Sequence, residues 1–443
     1  MTLRPFRRDS SRRDPSVCRA RRDASVEPPA SAHRVGTRIV RTRLVVALHA
    51  RKARHQLGAL LAIAGLVGLT GMAGCTSEAT LPVHDGPPIA TPTRDELPSL
   101  KTAMAPYFKV GAAIEPDSTE APADAALLAS QFSSLTAENK MKPGTIGVGE
   151  GRYDFRAADE IVAFAQARGI GMRGHTLVWH YKSSSWTEAP AWFFAGDPDD
   201  PGYRARVAGR LTRYVTDVVT HFRGKVYAWD VVNEVISDDP HAVYREDSPW
   251  YRALGKDYIA VAFRAARAAD PSAKLYINEY NTDDAGKRAK LLSVVRELRA
   301  QGVPIDGVGH QMHISVEWPP LANIKQAFDD VAALGLENQV TELDVSYYND
   351  PGLCWSDHHA CRADYGSHVP NDLVRAQALR YRALFDMFKQ TPSIKAVTFW
   401  GYSDKHTWLS STPVTRTNQP LLFNASLQPK TAFWAIVDPT YHP

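Results

Sequence analysis

From about residue 100 onward, short apolar runs alternate with amphipathic stretches. Eight runs have the length and character of strands: FKVGAAI (108–114), SSLTAE (133–138), IGMRGHTLVW (170–179), VYAWDVVNEV (226–235), KLYINEY (274–280), DGVGHQMHI (306–314), QVTELDV (339–345) and IKAVTFWG (394–401). Several are apolar without alternation, as expected of strands covered on both faces. Between them, FRAADEIVAFAQARG (155–169), RARVAGRLTRYVTDVVTHF (204–222) and GKRAKLLSVVRELRAQG (286–302) carry apolar residues at helical spacing. The first ends on Gly169, a residue suited to a helix C-terminus. A last helical pattern, LQPKTAFWAIVDP, occupies 427–439. Eight strands alternating with helices over about 340 residues predict an α/β chain, a (β/α)₈ TIM barrel forming one catalytic domain over 98–443. A doubly wound sheet would usually open on a Gly-rich first turn, and none is present in the sequence.

The polar residues fall where such a barrel puts chemistry. In seven of the eight runs they gather at the C-terminal end: Glu138 and Asn139; His175, Trp179 and His180; Asn233 and Glu234; Asn278 and Glu279; Gln311 and His313; Glu342 and Asp344; Trp400. These ends converge on the active-site face of a (β/α)₈ barrel. Four of them carry a glutamate, and isolated buried charges are too costly for all four to be idle. Glu234 and Glu342 end the fourth and seventh runs, on opposite sides of a closed barrel. Two carboxyl groups so placed can face each other across a bound sugar, one protonating the leaving oxygen and the other attacking the anomeric carbon. That division of labour needs one group kept protonated and the other ionised. His313 is placed to hydrogen-bond the nucleophile, and Asn233 to bind a sugar 2-hydroxyl. Glu279 reads as a structural or supporting carboxylate.

TAENKMKP (136–143), GHTLVWH (174–180), WDVVNEV (229–235), HQMHI (310–314), TELDV (341–345) and FWGYSDKHTWL (399–409) occur in that order. Together they resemble the family 10 glycoside hydrolases, whose best-known members are endo-1,4-β-xylanases. The resemblance spans about residues 105–438 and implies a (β/α)₈ barrel with retaining chemistry. It makes Glu234 the acid/base and Glu342 the nucleophile, with carboxyl groups about 5–5.5 Å apart. It makes Glu138, Asn139 and Lys142 glycone-side contacts. It makes His175, Trp179, Gln311 and His313 ligands of the sugar at the cleavage point, and Trp400 and Trp408 the aromatic walls. The family commonly continues GHTLVWH with Ser-Gln, whose glutamine commonly contacts the glycone sugar; Tyr181-Lys182 stands there in this sequence, so the resemblance does not carry over to the outer glycone subsite. The implied activity is hydrolysis of internal β-1,4 bonds of xylan, with no metal and no organic cofactor. The rival readings are a related β-1,4-glycanase acting on xylo-oligosaccharides or glucans, and a non-catalytic glycan-binding lipoprotein.

Charge separates the N-terminal region from this domain. The chain holds 52 basic and 48 acidic residues, of which residues 1–56 hold 15 and 4, leaving 37 and 44 for the rest. The domain is therefore acidic, and the overall +4 is no sign of a nucleic-acid partner. After Arg51, Lys52 and Arg54, an uncharged run from Leu57 to Gly74 ends at Cys75, the layout of a secretory signal. Met72-Ala73-Gly74-Cys75 resembles the bacterial lipobox, which implies removal of 1–74 and lipidation of Cys75. Thr76 in place of Asp favours the outer membrane. A tether rich in Pro, Thr and Ser is expected over 75–97. The protein is expected to be exported, on the periplasmic or cell-surface side, as a monomer touching the membrane through its lipid alone. Cys354 and Cys361, in CWSDHHAC, are expected to form a local disulfide.

Overall fold

A computed structural model describes residues 85–90, 97–182, 187–366 and 368–443; the leader, Cys75 and the rest of the tether lie outside the described residues. Every predicted strand run contributes to one parallel sheet. Its strands are β1 (Lys109–Ile114), β2 (Ser134–Ala137), β3 (Gly171–Gly174), β4 (Val226–Asn233), β5 (Lys274–Glu279), β6 (Gly307–His310), β7 (Glu337–Ser346) and β8 (Ile394–Phe399). β8 pairs with β7 and also with β1, through Lys109↔Ala396, so the sheet closes on itself. One longer helix follows each strand: α1 (Pro122–Gln131), α2 (Arg156–Gln166), α3 (Tyr203–His221), α4 (Asp257–Ala269), α5 (Ala285–Ala300), α6 (Leu321–Ala332), α7 (Asn371–Lys389) and α8 (Thr431–Val437). This is the expected (β/α)₈ barrel. The helices cover the outer face of strands that are buried almost throughout, which accounts for their unbroken apolar runs.

Two runs are split. The run over 170–179 leaves the barrel after Gly174 and returns as Val178–Trp179, paired to β4 through Val178↔Val232. The run over 306–314 breaks at Gln311 and Met312, where Met312 adopts φ 61°. It resumes as His313–Ser315 beside β7. Each break includes a residue of the polar clusters, His175 in the first and Gln311 in the second.

Inside the barrel, Arg173 on β3 forks onto Asp230 of β4 and donates through Nε to Gln339 of β7 at 2.8 Å. All three are buried, and the pairing is what makes two such charges tolerable there. Gly174 is required by close approach: a Cβ would stand 2.1 Å from the Trp229 ring. Residues 85–90, within the expected tether, are seated on the barrel. Asp85 bonds His368 at 3.0 Å, and the Gly86 and Ala90 carbonyls accept from Asn371 at the start of α7 and from the Tyr441 hydroxyl. Cys354 and Cys361 are joined by a disulfide in the loop after β7. Among the described residues, no helix is long and apolar enough to cross a membrane.

Candidate active site

The C-terminal end of β4 delivers Asn233 and Glu234. Glu234 has a left-handed backbone, φ 59°, sparsely populated for a residue with a Cβ. Two hydrogen bonds hold it there. Its N–H donates to the Asn278 carbonyl at 2.9 Å, and its carbonyl accepts from Arg245 Nε at 3.0 Å. Arg245 is in turn fixed by Asp238 and the Tyr280 hydroxyl. The Glu234 carboxyl accepts from Trp179 Nε1 at 2.8 Å and Gln311 Nε2 at 3.0 Å, both neutral donors.

Glu342 on β7 has different neighbours. One oxygen accepts from Asn278 Nδ2 at 2.7 Å and the other from His313 Nε2 at 3.0 Å. The second ring nitrogen of His313 meets Asp344 at 2.8 Å, and Asp344 also accepts from Trp408 Nε1 at 2.9 Å. Burial works against charging His313, but the two carboxylates outweigh it and raise the imidazole to about 10. Both ring nitrogens therefore donate. Burial likewise works against ionising Glu342. The His313 hydrogen bond, the fields of His175 and His313 and the Asn278 hydrogen bond overcome it and hold the carboxyl at about 2. Asn233 Oδ1 accepts from Asn278 Nδ2 at 2.8 Å and from Gln311 Nε2 at 3.4 Å. A continuous set of bonds thus links Glu234, Gln311, Asn233, Asn278 and Glu342.

The remaining predicted residues surround this pair. Lys142 is buried; desolvation lowers its pKa against the pull of Glu188, Glu342, Glu138 and Glu234. Its Nζ donates to Asn139 Oδ1 at 2.8 Å and lies 4.9 Å from the Trp179 ring and 6.0 Å from that of Trp400. Asn139 donates to Glu115 at 2.7 Å. Burial and the Glu115 charge push Glu138 up to about 7. His175 bonds Asp230 at 2.9 Å and meets Trp400 edge-on at 5.2 Å. Trp408 and Trp400 stand 4.9 Å and 6.3 Å from His313. The twelve residues singled out as catalytic or substrate-binding lie in the C-terminal parts of the barrel strands or in the segments that follow them. Among the described residues no group of three or more His, Cys, Asp or Glu is arranged to hold a metal ion.

Residues 99–439 match the model of glycosyl hydrolase family 10. The chain belongs to that family. It is 45% identical over 360 residues to a thermostable celloxylanase of Thermoclostridium stercorarium, covering 78% of this chain and 88% of the relative. It is 40% identical over 344 residues to endo-1,4-beta-xylanase B of Paenibacillus barcinonensis, covering 77% and 98%. The crystal structure of xylanase B from Clostridium stercorarium F9 superposes with a TM-score of 0.71 at 44% identity, over 77% of this chain and all (100%) of that one. The protein is a retaining glycoside hydrolase.

Several residues around this site have no role that the sequence displays. Asn278 is one of the polar strand-end residues, and it touches both Asn233 and Glu342. Arg173 and Asp230 carried a usable signal, since two opposite charges inside apolar runs imply a buried pair. Arg245 carried none, lying in a loop after β4. Glu279 is the supporting carboxylate expected. Fully buried, it accepts from the Ile236 N–H at 3.0 Å, pairs with Lys287 at 3.2 Å, and is pushed up to about 7 by burial.

Proposed function

We propose that this family 10 hydrolase is an endo-1,4-β-xylanase in which Glu342 is the nucleophile and Glu234 the acid/base. One observation carries the assignment: Glu342 is bonded to Asn278 and to a His313 that Asp344 grips from the other side, which favours its ionised form, while Glu234 accepts from the neutral donors Trp179 and Gln311. Glu342 attacks the anomeric carbon as the glycosidic bond breaks, and the Glu234 proton goes to the departing oxygen. Glu234 then takes a proton from water, whose oxygen displaces Glu342 and restores the carboxylate. Each step inverts the anomeric carbon, so the product retains configuration. Asn233, its oxygen already accepting twice, offers Nδ2 to the sugar 2-hydroxyl. Trp179, Trp400 and Trp408 supply faces for the neutral sugar, and Glu138, Asn139 and Lys142 bind hydroxyls on the glycone side. The names of the relatives support xylan as the substrate. Digestion of glucuronoxylan, with products sized and their first-formed anomer read by NMR, tests the reading. Expected are short β-configured oligosaccharides from internal cleavage; release of single xylose units only, or α-configured first products, sinks it.

The export reading is proposed alongside. The leader directs the protein through the inner membrane, signal cleavage leaves Cys75 at the new N-terminus, and acylation anchors a monomer to the outer membrane. Its support is the basic, apolar and small-residue order before Cys75. Palmitate labelling of the full chain and of Cys75→Ser checks it; equal labelling of both, or of neither, contradicts it.

A further inference from the structure

We propose that Trp355 is an outer platform for the xylan chain, one indole beyond Trp408, held rigid by the Cys354–Cys361 disulfide. The inference rests on the xylanase reading of the site. Trp355 is 55% exposed. Its ring centroid lies 5.9 Å from that of Trp408, with the two planes inclined by 35°. Trp408 in turn lies 4.9 Å from His313, the partner of Glu342. Two indoles and an imidazole therefore lead outward from the nucleophile.

A single exposed tryptophan needs no explanation. This one is distinguished by how it is held. It closes the short helical turn Gly352–Trp355, directly after Cys354, which is fully buried and bonded to Cys361. The loop is also locked to the one that bears Trp408. Arg416, from the loop after β8, pairs with Asp350, donates to the Arg362 carbonyl at 3.0 Å and lies 3.7 Å over the Tyr348 ring. Trp355 and Trp408 are thereby carried on one rigid support. A preordered aromatic ring loses little entropy when it binds. The apolar face of a pyranose buries area against an indole while its hydroxyl edge stays in water. Continuity with the walls of the cleft makes the occupant a sugar unit of the substrate already bound there.

The test compares chain lengths. kcat/KM is measured on xylotriose, xylohexaose and polymeric xylan for the wild type, Trp355→Ala, Trp355→Phe and the double variant Cys354→Ser/Cys361→Ser. Trp355→Ala is expected to lower the long-to-short ratio of kcat/KM about tenfold, mainly through KM, from loss of the area buried on the ring. Phe is expected to restore most of the ratio, and the double serine variant to shift it in the same direction as Ala. Equal losses on all lengths, or an unchanged ratio in folded Trp355→Ala, overturn the inference. If alanine fails to fold, the double serine variant decides: a wild-type ratio in it overturns the inference. A wild type that hydrolyses none of the three substrates overturns the xylanase reading instead.

Discussion

Replacing His313 with Asn isolates what keeps the nucleophile charged. In the folded protein Glu342 titrates at about 2 rather than 4.5, which at ~1.36 kcal/mol per unit is about 3 kcal/mol in favour of the ionised form. Burial acts the other way, so the pull from His313, His175 and Asn278 exceeds that figure. The variant keeps a polar side chain but loses the cation and its charge-assisted hydrogen bond, worth about 1.5–3 kcal/mol. Glu342 must be ionised to attack, so activity is lost as pH falls through its pKa. In the wild type that limb is expected near pH 2. In His313→Asn, burial, the largest single influence, is opposed only by His175 and Asn278, and the limb is expected to move up from the wild-type position toward the ordinary carboxylate range. The assay is kcat/KM on an aryl β-xylobioside across the acid range, with thermal unfolding followed at each pH. A loss of about 10²-fold or more is also expected at the optimum. Stability moves by the same linkage. The depressed Glu342 pKa stabilises the wild type above pH 4.5, a contribution lost as pH falls toward 2. The raised His313 pKa contributes below pH 6.5, and that contribution is lost as pH rises through about 10. The two contributions share the His313–Glu342 bond, although Asp344 is the larger influence on His313, so they do not simply add. A folded His313→Asn enzyme whose acid limb stays with that of the wild type would refute the reasoning.

Glu342→Ala and Glu234→Ala should each abolish nearly all turnover of xylan. Azide should rescue the first as the α-glycosyl azide and the second as the β anomer, and the opposite pattern would exchange the two roles. Arg245→Met frees the Glu234 carbonyl from its Nε bond. It should lower kcat about tenfold, the equivalent of ~1.4 kcal/mol, while KM changes less than twofold; a loss confined to KM would show that Arg245 does not set the pose of Glu234. Arg173→Met leaves Asp230 charged and buried, which should cost about 3–5 kcal/mol in chemical denaturation. A denaturation midpoint close to that of the wild type would show that Gln339, His175 or water compensates.

Much of the architecture was legible because its signals are local. The switch between apolar runs and helical spacing marks strands and helices, and the predicted strand ends fall within a few residues of those observed. Helices were less evenly marked. The four helical patterns correspond to α2, α3, α5 and α8 and leave α1, α4, α6 and α7 unmarked; in α4 alanines occupy buried and exposed positions alike, Ala266 and Ala268 among them, which blurs the period. The splits at 175–177 and 311–312 were also unreadable, because each depends on pairing with a strand far along the chain. The disulfide joins cysteines only seven residues apart, a separation the sequence displays.

Glu279 and Glu342 show where the sequence stops. Each is a glutamate at the end of an apolar strand, and composition and spacing treat them alike. By itself the sequence determined that both lie at the reactive end of a barrel, since strand direction and alternation with helices decide that. Closure of the barrel decided the rest. It set Glu279 against Lys287 and the Ile236 N–H, where burial dominates and the carboxyl is raised to about 7. It set Glu342 between Asn278 and a His313 that Asp344 keeps charged, where the same burial is overcome and the carboxyl stays at about 2. An ionisation state is the sum of fields from neighbouring strands, and which strands are neighbours is known only once the sheet has closed.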